Sequence, residues 1–158
     1  MLRYGMRADP LELVPNLWRS YVCQFTTSNR IINKRLQREM IREGFDVTPR
    51  QNWIMMAVEE KPHNQATIAE ILEINANQMV REVDQLERKK LIRRIRNPKN
   101  RREVLLQVTA KGKKLLAKMY AGLEAREARV FHPISMVEVH HLTALVRAII
   151  ADYHAKRP

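Results

Sequence analysis

A single cysteine, Cys23, stands among the 158 residues, so no disulfide can close within the chain. A reducing cytoplasm is the simplest compartment for it. Glycine (4) and proline (7) are scarce, which argues against an all-β design and for long helices. No apolar run is long enough to span a bilayer, and Met1 to Arg7 carries two arginines in place of the apolar segment of a secretory signal. Glycine-rich phosphate loops, nucleophile–base pairs and metal-ligand motifs are missing too, so the chain reads as a non-enzyme that needs no cofactor. Acidic residues are also under-represented: 17 against 29 Lys and Arg leave a formal charge of +12, and the chain is drawn to polyanions.

That charge is concentrated. Nine of the sixteen residues from Arg88 to Glu103 are Lys or Arg and one is acidic, so this stretch holds +8 of the +12. A basic helix lying on a membrane would need an apolar face opposite its charges. Residues 93–102 read instead as strand and turn, and no membrane contact is expected. With 45% hydrophobic residues, the rest of the chain can build a real core.

Apolar residues recur at helical spacing from Val14 through Leu17, Trp18, Tyr21, Val22, Phe25, Ile31, Ile32, Leu36 and Met40. They predict one long helix opening near Pro10 to Pro15 and closing before Gly44. Thr48-Pro49-Arg50-Gln51 is a capping box with proline at the first helical position, and predicts a second helix ending around Lys61-Pro62. Asn64 caps a short third helix. After Glu73-Ile74-Asn75, a fourth runs from Ala76 to Lys89 with Met79, Val83 and Leu86 on its apolar face. Leu91 to Arg96 and Glu103 to Val108 read as paired strands joined by Asn97 to Arg102. Thr109 caps a fifth helix that continues to Val130 and breaks at His132-Pro133. Ser135 and Glu138 open the last one.

The order is mainly α with a small β-hairpin wing: a winged helix-turn-helix at 47–109, flanked by helices at 1–46 and 110–158. The second helix of a helix-turn-helix enters the major groove with its first residues toward base edges. Here those are Asn75, Asn77, Gln78 and Arg81, with Gln85 one turn further on. Asn and Gln pair bidentately with adenine and Arg with guanine. Asn64 and Gln65 at the start of the third helix, with Arg94, Arg96, Lys99, Arg101 and Arg102 on the hairpin, complete the expected contact surface for double-stranded DNA. Any one of these charges reads equally well as a solubilising residue. The cluster does not, because close like charges repel until a polyanion neutralises them. The same basic face would also serve a non-specific architectural DNA- or RNA-binding protein.

Four segments carry a closer likeness. They are Thr48 to Trp53; Asn64 to Ala69; Val83 to Arg94; and Asn97 to Arg102 followed by Val108-Thr109-Ala110-Lys111-Gly112. In this order and spacing the chain resembles the MarR family of bacterial transcriptional regulators over nearly its full length. The resemblance implies an obligate homodimer in which the N-terminal helix and the last two helices interlock with a partner's, and a near-palindromic operator bound as a repressor. Leu17, Trp18, Leu142, Leu145 and Ile149 independently exceed what the small central module could cover. Two departures from the family pattern stand out. Asn100-Arg101-Arg102 replaces Asp-x-Arg, which removes the carboxylate that orients the minor-groove arginine, here Arg102. Lys90 replaces the glycine expected after the fourth helix. Both add charge, and imply greater reliance on phosphate contacts.

The resemblance also implies a sensing function. Many members release DNA when a small aromatic acid or phenolic binds between the dimerisation helices and the DNA-binding lobe. Tyr21, Phe25, Trp53 and Met56 are the side chains that could line such a pocket, although for each taken singly an ordinary core role is the better reading. Other members sense oxidants through a cysteine in the first helix. Cys23 lies there, but Thr27 one turn on offers no tyrosine to hold a thiolate. His132, His140 and His141 are the sole histidine grouping and lack the partners of a metal site.

Overall fold

The computed structural model describes residues 16–156. The expected helix opening at Pro10 to Pro15 lies outside them. Leu17–Arg19 form a 3-10 turn rather than part of a continuous helix. The chain then extends at Ser20, whose hydroxyl accepts the Cys23 N–H (3.3 Å) and caps α1, Tyr21–Arg42. Helices α2 (Pro49–Ala57), α3 (Gln65–Ile71) and α4 (Ala76–Arg88) make up the central trio. Both halves of the Thr48–Gln51 capping box are present. Helix α2 ends four residues before Lys61, because Val58 and Glu59 turn their N–H groups to the carbonyls of Met55 and Met56.

The wing is a three-stranded antiparallel sheet of order β1-β3-β2, with β1 His63–Asn64, β2 Ile92–Asn97 and β3 Asn100–Val108. Strand β1 was not legible in sequence: two residues carry no alternation, and only pairing with Leu105 and Leu106 defines it. The hairpin tip is also tighter than the six-residue turn expected. Asn97 already pairs with Asn100, and the register shifts beside Arg96. Side chains hold that tip. The Asn97 carboxamide oxygen accepts the Lys99 N–H (2.9 Å), and Arg96 donates to the Arg101 carbonyl (3.1 Å).

Beyond the wing the expected single helix is two, α5 (Ala110–Ala121) and α6 (Leu123–Phe131), hinged at Gly122. The carbonyl of Met119, which an unbroken helix would give to Leu123, instead accepts two bonds from the Arg126 guanidinium (3.2 Å each). The last helix, α7 (Met136–Ala155), opens on the Ser135–Glu138 capping box.

The core gathers in the central lobe, from Ile54, Met55, Ile68, Met79, Val83, Leu86, Ile92, Leu106 and Leu116. Helix α1 contributes a single fully buried residue, Met40, and α7 contributes Val139. The long helices thus dock by short contacts and leave apolar stripes uncovered. Tyr21 is 77% exposed, Leu145 71% and Ile149 68%. Helix α1 is held against α6 by ion pairs of Glu39 and Glu43 with Arg129, and of Glu43 with Arg126.

Helices α1, α3 and α4 share one ending. Gly44, Glu73 and Lys90 have φ of 80°, 50° and 58°. In each case the following N–H returns to the carbonyl five residues back: Phe45 to Met40, Ile74 to Ala69, Leu91 to Leu86. This is the Schellman geometry, which favours glycine. Lys90 adopts it at a cost of about 1 kcal/mol. Gly112 is constrained by space instead: a Cβ there would stand 2.2 Å from the Leu91 carbonyl oxygen and 2.7 Å from a Val108 methyl. Substitution should therefore act in opposite directions at the two positions. Lys90→Gly should raise unfolding stability by about 1 kcal/mol, whereas Gly112→Ala should lower it by about 1–3 kcal/mol. Urea denaturation of both variants checks this, and a stabilising Gly112→Ala would contradict the packing.

Candidate nucleic-acid interface

At about 100° per residue, α4 separates into faces. Met79, Val83 and Leu86 are buried. Asn77 and Arg81, one turn apart, point away from them and are exposed, with Gln78 half-buried beside them. None of these three side chains has a partner among the described residues. Asn75, grouped with them in sequence, is the N-cap: its carboxamide oxygen accepts the Gln78 N–H (2.9 Å), which aligns the helix start.

The flanks of α4 are occupied. On one, Gln51 is 1% exposed and its amide nitrogen donates to Glu82 (3.0 Å) and Gln85 (2.7 Å), while Arg50 lies 3.5 Å from Glu82. On the other, the Arg94 guanidinium pairs with Asp84 (2.7 Å) and with Glu87. Burial opposes the Arg94 charge, but the two carboxylates outweigh it and its pKa is raised. Arg94, expected to contact DNA, is paired in the single chain with these two carboxylates of α4 and keeps about a third of its side chain exposed. Gln85 is half-committed in the same way. Sequence reasoning missed Gln51 as anything but a cap. The available signal was the presence of Glu82, Asp84 and Glu87 on a helix expected to approach DNA.

On the wing, Lys99, Arg101 and Arg102 are exposed, and Arg96 spans the tip to the Arg101 carbonyl. Asn100 accepts the Arg102 backbone N–H (3.2 Å), so it shapes the backbone and leaves the Arg102 guanidinium without a partner among the described residues. Arg93 is held by Gln107 (2.9 and 2.6 Å). Asn64 is likewise engaged within the protein. Its oxygen caps α3 through the Thr67 N–H and its nitrogen donates to Glu103 (2.7 Å), leaving little for a ligand. Gln65, half-buried, follows it.

The four expected pocket residues do not converge. Trp53 lines a cleft of about 290 Å³ between α1 and α2, with Asn33, Lys34, Gln37, Arg50 and Glu82. Met56 is not on that cleft, and Tyr21 and Phe25 lie at the far end of α1, exposed in the single chain. They are neither core nor pocket there. Cys23 is half-buried in the first turn of α1. Among the described residues no three His, Cys, Asp or Glu side chains gather as a metal set, and no single helix is long and apolar enough to cross a membrane.

Comparison with known proteins agrees with this architecture. The model of the MarR family matches residues 54–104. The HTH-type transcriptional repressor MdtR of Bacillus subtilis (strain 168) is 30% identical over 119 residues, covering 70% of this chain and 76% of MdtR. Among solved structures, a mutant MarR from E. coli complexed with operator DNA superposes with a TM-score of 0.70 at 17% identity, over 90% of this chain and 99% of that one. The transcriptional repressor CouR bound to a 23-mer DNA duplex gives 0.75 at 23% identity, over 86% and 96%. CouR from Rhodococcus jostii RHA1 bound to p-coumaroyl-CoA gives 0.67 at 21%, over 85% and 94%.

Glu103 ties the wing to the lobe, and its titration is open to measurement. Bonds from Asn64 and then Asn97 hold its pKa below the usual glutamate value, against a small opposing effect of burial. A depressed pKa means that this contribution is complete above the unfolded glutamate pKa and is lost as pH falls through the folded one. Carboxyl NMR should show Glu103 titrating below free glutamate, with amide protection at Lys99 to Arg102 declining over the same acid range. Titration of Glu103 at or above the ordinary value would rule out the tether.

Proposed function

The chain belongs to the MarR family of winged helix-turn-helix transcriptional regulators, which are not enzymes, and on that premise we propose that it is a repressor that binds a near-palindromic operator as a homodimer. The observation that carries this reading is the unpartnered polar stripe Asn77–Gln78–Arg81, set between two flanks whose side chains are paired within the protein and followed by a cationic wing. Such a stripe suits base edges in the major groove, with Lys99, Arg101 and Arg102 on phosphates or in the adjoining minor groove. The division of labour follows: residues 47–109 bind DNA, and 1–46 with 110–158 join two copies. Uncovered stripes on α1 and α7 supply the apolar area for that pairing. Two recognition helices would then meet half-sites roughly 34–36 Å apart. The cytoplasm, where the chromosome lies, is the matching compartment.

Selection from a randomised duplex pool tests this directly. The enriched sequence should be near-palindromic, and Arg81→Ala should lose about 1–3 kcal/mol of discrimination at its contacted base pair. Lys99→Ala should weaken all duplexes alike and lower the salt slope by about one unit. Equal binding of random duplex would favour a non-specific architectural role and sink the regulator reading.

CouR binds an aromatic acyl-CoA, and the Trp53 cleft offers a matching chemistry here: an indole face with Lys34 and Arg50 at its walls. A small aromatic carboxylate fits that lining, and its occupancy would draw Arg50 from Glu82. Addition of p-coumarate or p-coumaroyl-CoA should quench Trp53 fluorescence and release the selected duplex, and Arg50→Ala should abolish both responses. Release that persists in Arg50→Ala would place the effector elsewhere.

A further inference from the structure

We propose that Gln51 is a positioning residue for sequence recognition: without touching DNA, its buried amide sets the rotation of α4 about its axis and so determines which side chains face the bases. The inference rests on the reading that α4 is the recognition helix. Gln51 belongs to α2, is 1% exposed, and uses its amide on both sides of the junction. Its oxygen accepts the Thr48 N–H (3.2 Å), which anchors it to the start of α2. Its nitrogen donates to Glu82 (3.0 Å) and Gln85 (2.7 Å). A carboxylate only accepts, so the Glu82 contact fixes which end of the amide faces α4.

Glu82 and Gln85 are three residues apart and define one edge of the helix. Arg94 holds the opposite edge through Asp84 and Glu87. The open stripe of Asn77 and Arg81 lies between the two edges. A helix gripped along one edge can roll about that edge; gripped along both, it cannot. Base readout depends on such a roll, because a bidentate pair tolerates little angular error while a phosphate contact tolerates much. Loss of the Gln51 grip should therefore cost specificity and spare non-specific affinity.

Gln51→Glu separates the two jobs of this side chain. Glutamate serves the capping box as well as glutamine, so α2 keeps its start. It cannot donate, however, and it sets a carboxylate against Glu82. The measurement is the affinity ratio between the duplex selected by the native protein and a random duplex, with salt slope and melting temperature taken alongside. In Gln51→Glu the ratio should fall by about tenfold or more, while the added carboxylate weakens selected and random duplex alike by a small, salt-screened amount that cancels in the ratio. The double variant Gln51→Glu with Glu82→Gln restores a donor–acceptor pair across the same gap and should recover the ratio. Glu82→Gln alone keeps an acceptor for Gln51 but gives up the Arg50 ion pair, so it is the reference from which recovery in the double variant is measured.

An unchanged ratio in Gln51→Glu overturns the proposal. So does a parallel loss of random-duplex binding and melting temperature, which would make Gln51 a stability residue only, or a double variant that does not recover. If the native protein selects no sequence, the recognition-helix reading fails first and this inference falls with it.

Discussion

A helix that carries Glu82, Asp84 and Glu87 repels a polyanion unless those carboxylates are compensated, and in this protein two arginines offset two of the three charges while the Gln51 amide satisfies Glu82 by hydrogen bonding. Arg94 reaches back from β2 to Asp84 and Glu87, while Gln51 and Arg50 come from α2 to Glu82. The acidic residues thereby become handles. They let two neighbouring elements grip α4 without occupying the face between them. Much of the rest follows: the wing must start close enough to α4 for Arg94 to reach, which the tight Schellman ending at Lys90 and Leu91 provides. Gly112 then lets α5 pack against the Leu91 carbonyl, so the hairpin's exit is seated on its entrance.

Coupling to the outer helices runs through a second charged joint. Arg126 is 2% exposed, pairs with Glu43, donates to the Met119 carbonyl and lies 5.1 Å from the centre of the Phe45 ring. Isolated burial of a guanidinium is strongly unfavourable, and removal of one partner of such a pair commonly costs roughly 3–5 kcal/mol. The joint therefore fixes the angle between α1 and α6 at the end nearest the central lobe. Further out Arg35 of α1 donates to the carbonyls of Val130 and His132 at the end of α6, and beyond that the apolar stripes of α1 and α7 are open among the described residues.

The helices were legible because their starts are written locally. Thr48, Asn64, Asn75, Thr109 and Ser135 all cap, and each lies within three residues of the N–H it serves. What sequence did not convey depends on distant partners. Strand β1 exists through Leu105 and Leu106, and the break at Gly122 accompanies a carbonyl taken by Arg126. The internal partners of Arg94 and Asn64 were also hidden, because residue type shows a charge or an amide but not what it is paired with. Tyr21 and Phe25 were grouped with Trp53 by helical spacing, and the length of α1 separates them.

The basic stretch from Arg88 to Glu103 accordingly divides by what each charge has left to give. Arg93 is held by Gln107, Arg94 by two carboxylates, and Arg96 by the tip it closes. Lys99, Arg101 and Arg102 project from a tip whose backbone is shaped by Asn97 and Asn100. Asn100 can shape that backbone without a carboxylate, so the loss of an acidic residue there need not loosen the loop. The Arg102 guanidinium has no partner among the described residues. Charge on the wing and unpaired amides on α4 are thus held on different elements, and in any contact with duplex DNA a charge scales with salt whereas an amide scales with base sequence.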